Sequence, residues 1–291
     1  MFELGLQAIY SGVLTGGYYA LVALGLALVF GTMRVINLAH GELVLLAAYV
    51  AYSAEVHLAI SPIAAIPLSL VVVSLVAVLV YVLLSHITRD RELNSLILTY
   101  GLGIVLTNLM LLIWSADIRS TTATWFQEGA VLGDTLYSSR SEVIFFLVSL
   151  VLVAGLWFWL TRSWHGRAVR AVSSNRDAAM LMGVNPRTTE VLSFLVAGLL
   201  ATFAGIALYT GKTIDPPLGH ALTIKAFIIT VLAGMGSIPG VLLGAMLIGI
   251  TEALTISFVS TSLQDLAGMV LFLAVLLLRP QGLFGFGTRR G

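Results

Sequence analysis

The 291-residue chain is predicted to be an all-α polytopic membrane protein of eight to nine transmembrane helices, one or two of them short and broken or re-entrant. Three observations lead there. Hydrophobic residues make up 59% of the chain and charged residues 10%, with a mean hydropathy of +1.02, where a soluble domain is about a quarter charged. Stretches such as Ser61–Ser85 and Val143–Leu160 are long enough to cross a hydrocarbon core at ~20 residues per helix. The apolar runs are continuous and do not alternate with period two, which argues against a barrel.

Between Gly, Pro and charge breaks, the apolar runs fall at about 6–30, 38–54, 61–86, 93–114, 142–161, 189–210, 220–234, 239–258 and 264–278. The N-terminal MFELGLQAIY has no basic region and no small-residue cleavage site, so the first run is expected to stay as a span. Under this count Arg34, Arg89, Arg91, Arg162, Arg167, Arg170, Arg176, Arg187, Arg279, Arg289 and Arg290 share one side. Glu3, Glu55, Asp117, Glu128, Asp134, Asp215 and Asp265 take the other, with Arg119, Arg140 and Lys212. The positive-inside rule puts the arginine-rich side and the C-terminus in the cytoplasm and the N-terminus outside. Segments 38–54 and 220–234 are short for spans, as broken helices near a transport site often are. If either fails to cross, the count falls to eight. The pairs Gly12–Gly16, Gly240–Gly244 and Ala201–Gly205 are candidate helix–helix contacts, or reflect the general abundance of small residues in membrane helices.

Two polar interruptions stand out. VINLAHGELVLLAAY (35–49) holds Asn37, His40 and Glu42 within six residues. A charge at bilayer depth costs about 2.5–3.5 kcal/mol and usually faces an interior or a water-filled path. If NLAHGE opens a short helix, Asn37 is placed to cap it, and Glu42 meets the positive end of its dipole. GMGSIPG (234–240) offers Gly234 and Gly236 for a turn, the Ser237 hydroxyl, and Pro239 to start the next helix. Asn37, His40, Glu42, Gly234, Gly236, Ser237 and Pro239 are therefore candidates to flank a translocation path, with Glu252 as the other acid inside a span and Lys225 near a span end. They also suit a purely structural role, satisfying backbone groups freed by a broken helix.

Residues 162–188, TRSWHGRAVRAVSSNRDAAMLMGVNPR, form the long stretch on the arginine-rich side. At helical spacing Ala168, Ala171, Val172, Ala179 and Met182 gather on one side and Arg170, Ser173, Ser174 and Asp177 on the other. The pattern predicts one amphipathic helix over 167–183, ended by Gly183, with Asn185-Pro186 turning into the next span. Tied to spans at both ends, it suits the transmission of movement, or else rests on anionic lipid.

GRAVRAVSSNRDAAMLMGVNP followed by FLVAGLLATFAGIALY resembles the coupling region of permease subunits of branched-chain amino acid ABC importers. VINLAHGELVLLAAY resembles that family's N-terminal motif and VLAGMGSIPGVLLGAMLIGITEAL its C-terminal one, in the family's order from Val35 to Leu254. The resemblance implies one transmembrane permease domain over 1–291, with a cytoplasmic coupling segment at 162–188. It implies two ABC ATPase subunits, a second related permease, an external solute-binding protein, and a bacterial or archaeal plasma (inner) membrane. Arg167, Arg170, Asn175, Arg176, Ala179, Met182 and Gly183 would meet the ATPase. ATP and Mg would sit on partner subunits, with no cofactor on this chain. The cargo would be branched-chain or related amino acids, or urea or short amides, which closely related permeases carry.

Other classes find less support. The chain has no cysteine, which excludes thiol catalysis and cysteine metal sites, and its net charge of +1 points to no nucleic-acid role. GIALYTGKT (205–213) imitates a phosphate loop but places five residues between Gly205 and Gly211 where the motif needs four. His40–Glu42 is not a zinc HExxH, and no other histidine has ligand spacing, so no metal and no enzymatic activity are expected. A self-sufficient secondary transporter should carry coupling carboxylates in several spans, and a structural scaffold leaves the polar breaks unexplained.

Overall fold

A computed structural model describes residues 1–87, 89–132, 135–234 and 236–284. Among them are eleven α-helices and one short β-hairpin. The helices are α1 (Phe2–Met33), α2 (His40–Leu58), α3 (Ile66–Ser85), α4 (Arg91–Trp114), α5 (Arg140–Arg162), α6 (Trp164–Ser174), α7 (Arg176–Leu181), α8 (Pro186–Gly211), α9 (Leu218–Ala233), α10 (Ile238–Phe258) and α11 (Gln264–Leu278). Strands β1 (Gly129–Leu132) and β2 (Leu136–Ser139) pair antiparallel between α4 and α5. The hairpin is an addition to the all-α expectation.

Among the described residues, seven helical segments are long and apolar enough to cross a membrane: α1, α3, α4, α5, α8, α10, and α11 with the turn before it. They match seven of the nine apolar runs. The two left out, α2 and the 16-residue α9, are the two that the sequence marks as short. Length and composition by themselves mark seven candidate spans among the described residues.

Helix α1 lies at the centre, with Ala20, Leu21, Ala23 and Leu24 fully buried. Gly12 and Gly16 let it lie directly on antiparallel α10: a Cβ at either position would come 2.5 Å from the Cα of Ile250 or Met246. Gly205 of α8 similarly presses on the α2 backbone at Val44 and Ala48. Such close approach provides packing where lipid gives no hydrophobic drive between helices. Gly244 keeps ordinary clearance, 3.5 Å to the nearest atom, whereas a Cβ at Gly240 would come 2.9 Å from the Ala233 carbonyl oxygen of α9, so only the first glycine of that pair is pressed against backbone.

The ends of the bundle differ. One carries the N-terminus, the hairpin, and Glu55, which accepts bonds from Thr121, Thr122, Ala123 and Tyr209. The other carries Arg34, α6, α7, the start of α4 and the Gly234–Pro239 turn. The basic residues predicted to share a side do so at this second end, apart from Arg289 and Arg290, which, with Asp134 of the opposite group, lie outside the described residues.

Candidate translocation and coupling sites

Helix α1 stops at Arg34, whose left-handed backbone (φ 53°) turns the chain. Residues 35–39 then run back along α1. The His40 Nε2–H donates to the Val22 carbonyl at 2.9 Å, and Val22 lies about 16 Å back from Met33 along the helix. Helix α2 therefore begins deep in the bundle, as a re-entrant break would require. Asn37 Oδ1 accepts the Ala39 N–H at 3.1 Å, and Thr99 Oγ1 of α4 accepts that of Leu38 at 3.0 Å. The Gly41 N–H reaches Thr223 Oγ1 of α9 at 2.8 Å.

Glu42, 2% exposed, sits in the first turn of α2. Thr223 Oγ1 is 3.3 Å from its Oε2. Two glycines make room for it: a Cβ at Gly219 of α9 would lie 3.2 Å from Glu42 Cα, and one at Gly103 of α4 would lie 3.5 Å from Oε1. Gly103 is at the middle of the 24 residues of α4, so the carboxylate stands near mid-depth. Glu42 takes part in none of the ion pairs among the described residues. Beside it, exposed Tyr100 and His220 meet edge-on at 6.1 Å. Tyr100, Ile104 and Asn108, at four-residue spacing, share an exposed face of α4.

The second interruption behaves as the sequence predicts locally. Gly234 and Gly236 take positive φ (91° and 97°), Ser237 Oγ caps α10 by accepting the Gly240 N–H at 3.2 Å, and Pro239 lies in the first turn. Met235 lies outside the described residues. This turn does not join the first break. It follows the far end of α9, about 20 Å along the helix from Gly219, and Gly236 lines a cavity of about 560 Å³ together with Arg34, Val169, Arg170 and Ser173. The turn thus sits beside α6, while Asn37, His40 and Glu42 are in mid-bundle.

Glu252 occupies a third place. Its carboxylate accepts Tyr19 Oη at 2.7 Å and Gln264 Nε2 at 3.0 Å and pairs with Lys225 at 2.9 Å. Lys225 also pairs with Asp265 at 2.8 Å.

The 162–188 segment departs from its predicted single helix. It breaks at Asn175, which is extended (φ −152°, ψ 109°) and caps α7 by accepting the Ala178 N–H at 3.0 Å. Asn competes for backbone groups in this way, and periodicity alone does not show it. Ala168, Val172 and Ala179 are buried as expected, joined by Val169, but Ala171 and Met182 are exposed. Gly183 (φ 82°) ends the segment, and Asn185 caps α8 with Pro186 in its first turn. Arg167, Arg170 and Asn175 are exposed. Arg176 reaches Glu190, a buried acid that the sequence reading missed because it stands at the edge of an apolar run. Arg176 Nε is 3.2 Å and Arg91 Nη2 3.8 Å from its Oε1, and Tyr81 Oη is 3.4 Å from its Oε2.

Seven membrane-length apolar helices among the described residues, around a deeply buried polar break, define a multi-pass membrane protein. Residues 8–278 match the family model described as branched-chain amino acid transport system / permease component, and the chain belongs to that family. It is 30% identical to the high-affinity branched-chain amino acid transport system permease protein BraD of Pseudomonas aeruginosa, over 96% of this chain and 95% of that one. It is 31% identical to LivH of Escherichia coli, named for the same system, over 96% and 95%. A shorter match, 31% identity over 50% of this chain and 36% of the other, relates it to LivM of E. coli, a second permease protein so named. These relatives are transport permeases.

Proposed function

We propose that the chain is the membrane-spanning permease subunit of an ATP-driven importer for branched-chain or related amino acids. The observation that carries this reading is the α6–α7 segment. Its arginines and an exposed apolar tip, Leu181 (89% exposed) and Met182 (84%), project from one end of the bundle, while Arg176 ties it to the base of α8. An apolar tip on a charged end suits a protein groove better than water. Residues 1–291 act as one permease domain, and 162–188 engages one of two ATPase subunits, which carry ATP and Mg. A second related permease and an external binding protein complete the assembly. The relatives' names support the cargo class.

Taking α2 with its extended lead-in and α9 as crossings gives nine, with the arginine-rich end in the cytoplasm of a bacterial or archaeal inner membrane. The solute path follows the exposed face of Tyr100, His220 and Asn108, with Glu42 behind it and Asn37 and His40 holding the break. The Gly234–Pro239 turn, beside α6, is placed to relay its movement.

The test is co-expression with the neighbouring genes followed by purification in detergent, with and without Leu181→Asp plus Met182→Asp. Both positions are exposed, so the fold should survive the change. An ATPase that co-purifies with the wild type and is lost from the double variant supports the reading. A purified chain that binds no ATPase yet moves solute alone in vesicles refutes it.

A further inference from the structure

A cavity of about 410 Å³ lies among α1, α8, α9, α10 and α11, on the side of α9 away from Glu42. Its volume falls in the range of small-molecule sites, which combine an apolar lining with a few placed polar groups. Leu222, Ile228, Ile248 and Met269 supply the apolar wall. The polar groups are divided by sign. Lys225 joins Glu252 and Asp265 at 2.9 and 2.8 Å, so two carboxylates share one ammonium and a negative charge is left over. Asp265 is 72% exposed at its side chain, and Lys225 is placed only on its Oδ1.

Lys212, also on the wall, has no acidic partner among the described residues. Its ammonium stands 5.6 Å from the centre of the Tyr18 ring and 5.9 Å from that of Tyr19. A second, independent observation is the Tyr18 hydroxyl. Tyr18 lines the cavity and is 8% exposed, and its buried Oη has no hydrogen-bond partner. An unpaired buried hydroxyl is costly, and a ligand oxygen would supply the missing partner.

We infer that this cavity is a binding site for a zwitterion with an aliphatic tail, a free aliphatic α-amino acid. Its carboxylate is taken by Lys212 and the Tyr18 hydroxyl, its ammonium by Asp265 beside Glu252, and its side chain by the Leu222–Ile248–Met269 wall. The inference rests on the proposed cargo class and adds a site on this chain separate from Glu42. The same chemistry is offered by the ammonium-phosphate headgroup of phosphatidylethanolamine, so the test must separate the two.

The full chain would be placed in nanodiscs of phosphatidylglycerol alone or with phosphatidylethanolamine, and radiolabelled leucine binding measured by scintillation proximity. Saturable leucine binding is expected, weakened about tenfold or more by Tyr18→Phe and by Lys212→Met. Glutamate and isovalerate, which lacks the ammonium, should not compete. Both variants should still co-purify with the ATPase. Loss of leucine binding there together with the ATPase marks a folding failure, and the milder Tyr18→Phe, which keeps the ring, then decides. Leucine binding that disappears only in phosphatidylethanolamine also supports the zwitterion site, with the lipid as its competing occupant. No saturable binding in either lipid, or binding unchanged in both variants, overturns the inference. An intact ATPase complex beside that result leaves the importer reading standing.

Discussion

Glu190 offers the sharpest physical test of how α7 is held. Its carboxylate, 1% exposed, is shared by Arg176, Arg91 and Tyr81, on three elements other than its own. Glu190→Gln keeps the shape and one acceptor but removes the charge. Breaking a buried pair by deleting one partner typically costs about 3–5 kcal/mol. Here the side chains of Arg176 and Arg91 are 44% and 27% exposed, so water recovers part of the loss, and we expect about 1–2 kcal/mol. That corresponds to about a tenfold change in an opening equilibrium. Helix α7 has six residues and a single buried side chain, Ala179, so the loss should fall on it. In hydrogen exchange, amides of 178–184 should lose about tenfold protection while the α8 core keeps its own. Arg176→Gln should reproduce the effect, and the double variant should add little to either, since the changes share one interaction. In the importer proposed above, solute moved per ATP should fall. Unchanged α7 protection in a folded Glu190→Gln chain would refute the reasoning.

Three further outcomes follow from the packing and the break. Gly16→Val should destabilise the chain by at least about 1–3 kcal/mol through overpacking against Met246, read as a lower midpoint of thermal unfolding in detergent; an unchanged midpoint means that α1 and α10 do not pack as described. Glu55→Gln removes the charge that gathers Thr121, Thr122 and Ala123, at about 1.5–3 kcal/mol. Cleavage by protease between residues 115 and 128 should quicken while the helices persist, and equal rates would count against the cluster. Glu42→Gln should leave assembly intact and cut vesicle uptake about tenfold or more, as losing about 1.4 kcal/mol at one step would. Unchanged uptake removes Glu42 from the path.

Helix positions were legible where one physical signal acted alone. Apolar length marked the seven candidate spans, and the shortness of the runs at α2 and α9 marked the two exceptions. Ser237, Pro239, Asn185 and Pro186 act at helix starts as their chemistry dictates, and Gly12–Gly16 forms a true backbone contact. The failures share a cause: they depend on partners distant in sequence or on competition that periodicity ignores. Asn175 breaks the amphipathic segment because its side chain outbids helix continuation, though the residues around it keep helical spacing. The hairpin had a faint signal in Gly133-Asp134 between two short apolar runs, residues that themselves lie outside the description. Glu190 reads as the polar edge of a span, and only the folded chain brings Arg91 and Tyr81 to it. The grouping of Asn37, His40 and Glu42 was visible, but their separation from Gly234–Pro239 and Glu252 was not, because sequence gives no distance across a bundle.

The three buried acids among the described residues differ in how their charge is balanced, and that difference is why the proposed path is placed beside Glu42. Glu252 is balanced by Lys225, and Glu190 by two arginines at the end of the bundle. Glu42 forms no ion pair among the described residues. The helix terminus and Thr223 support it, and a terminus contributes about 0.3–1 kcal/mol at an exposed site, against about 2.5–3.5 kcal/mol for a charge at bilayer depth. A structural break needs no such residue: the turn at Gly234–Pro239 reverses the chain with glycines, a serine cap and a proline. In the proposed path, water or a polar solute at the adjoining exposed face of Tyr100, His220 and Asn108 would meet the uncompensated part of that cost.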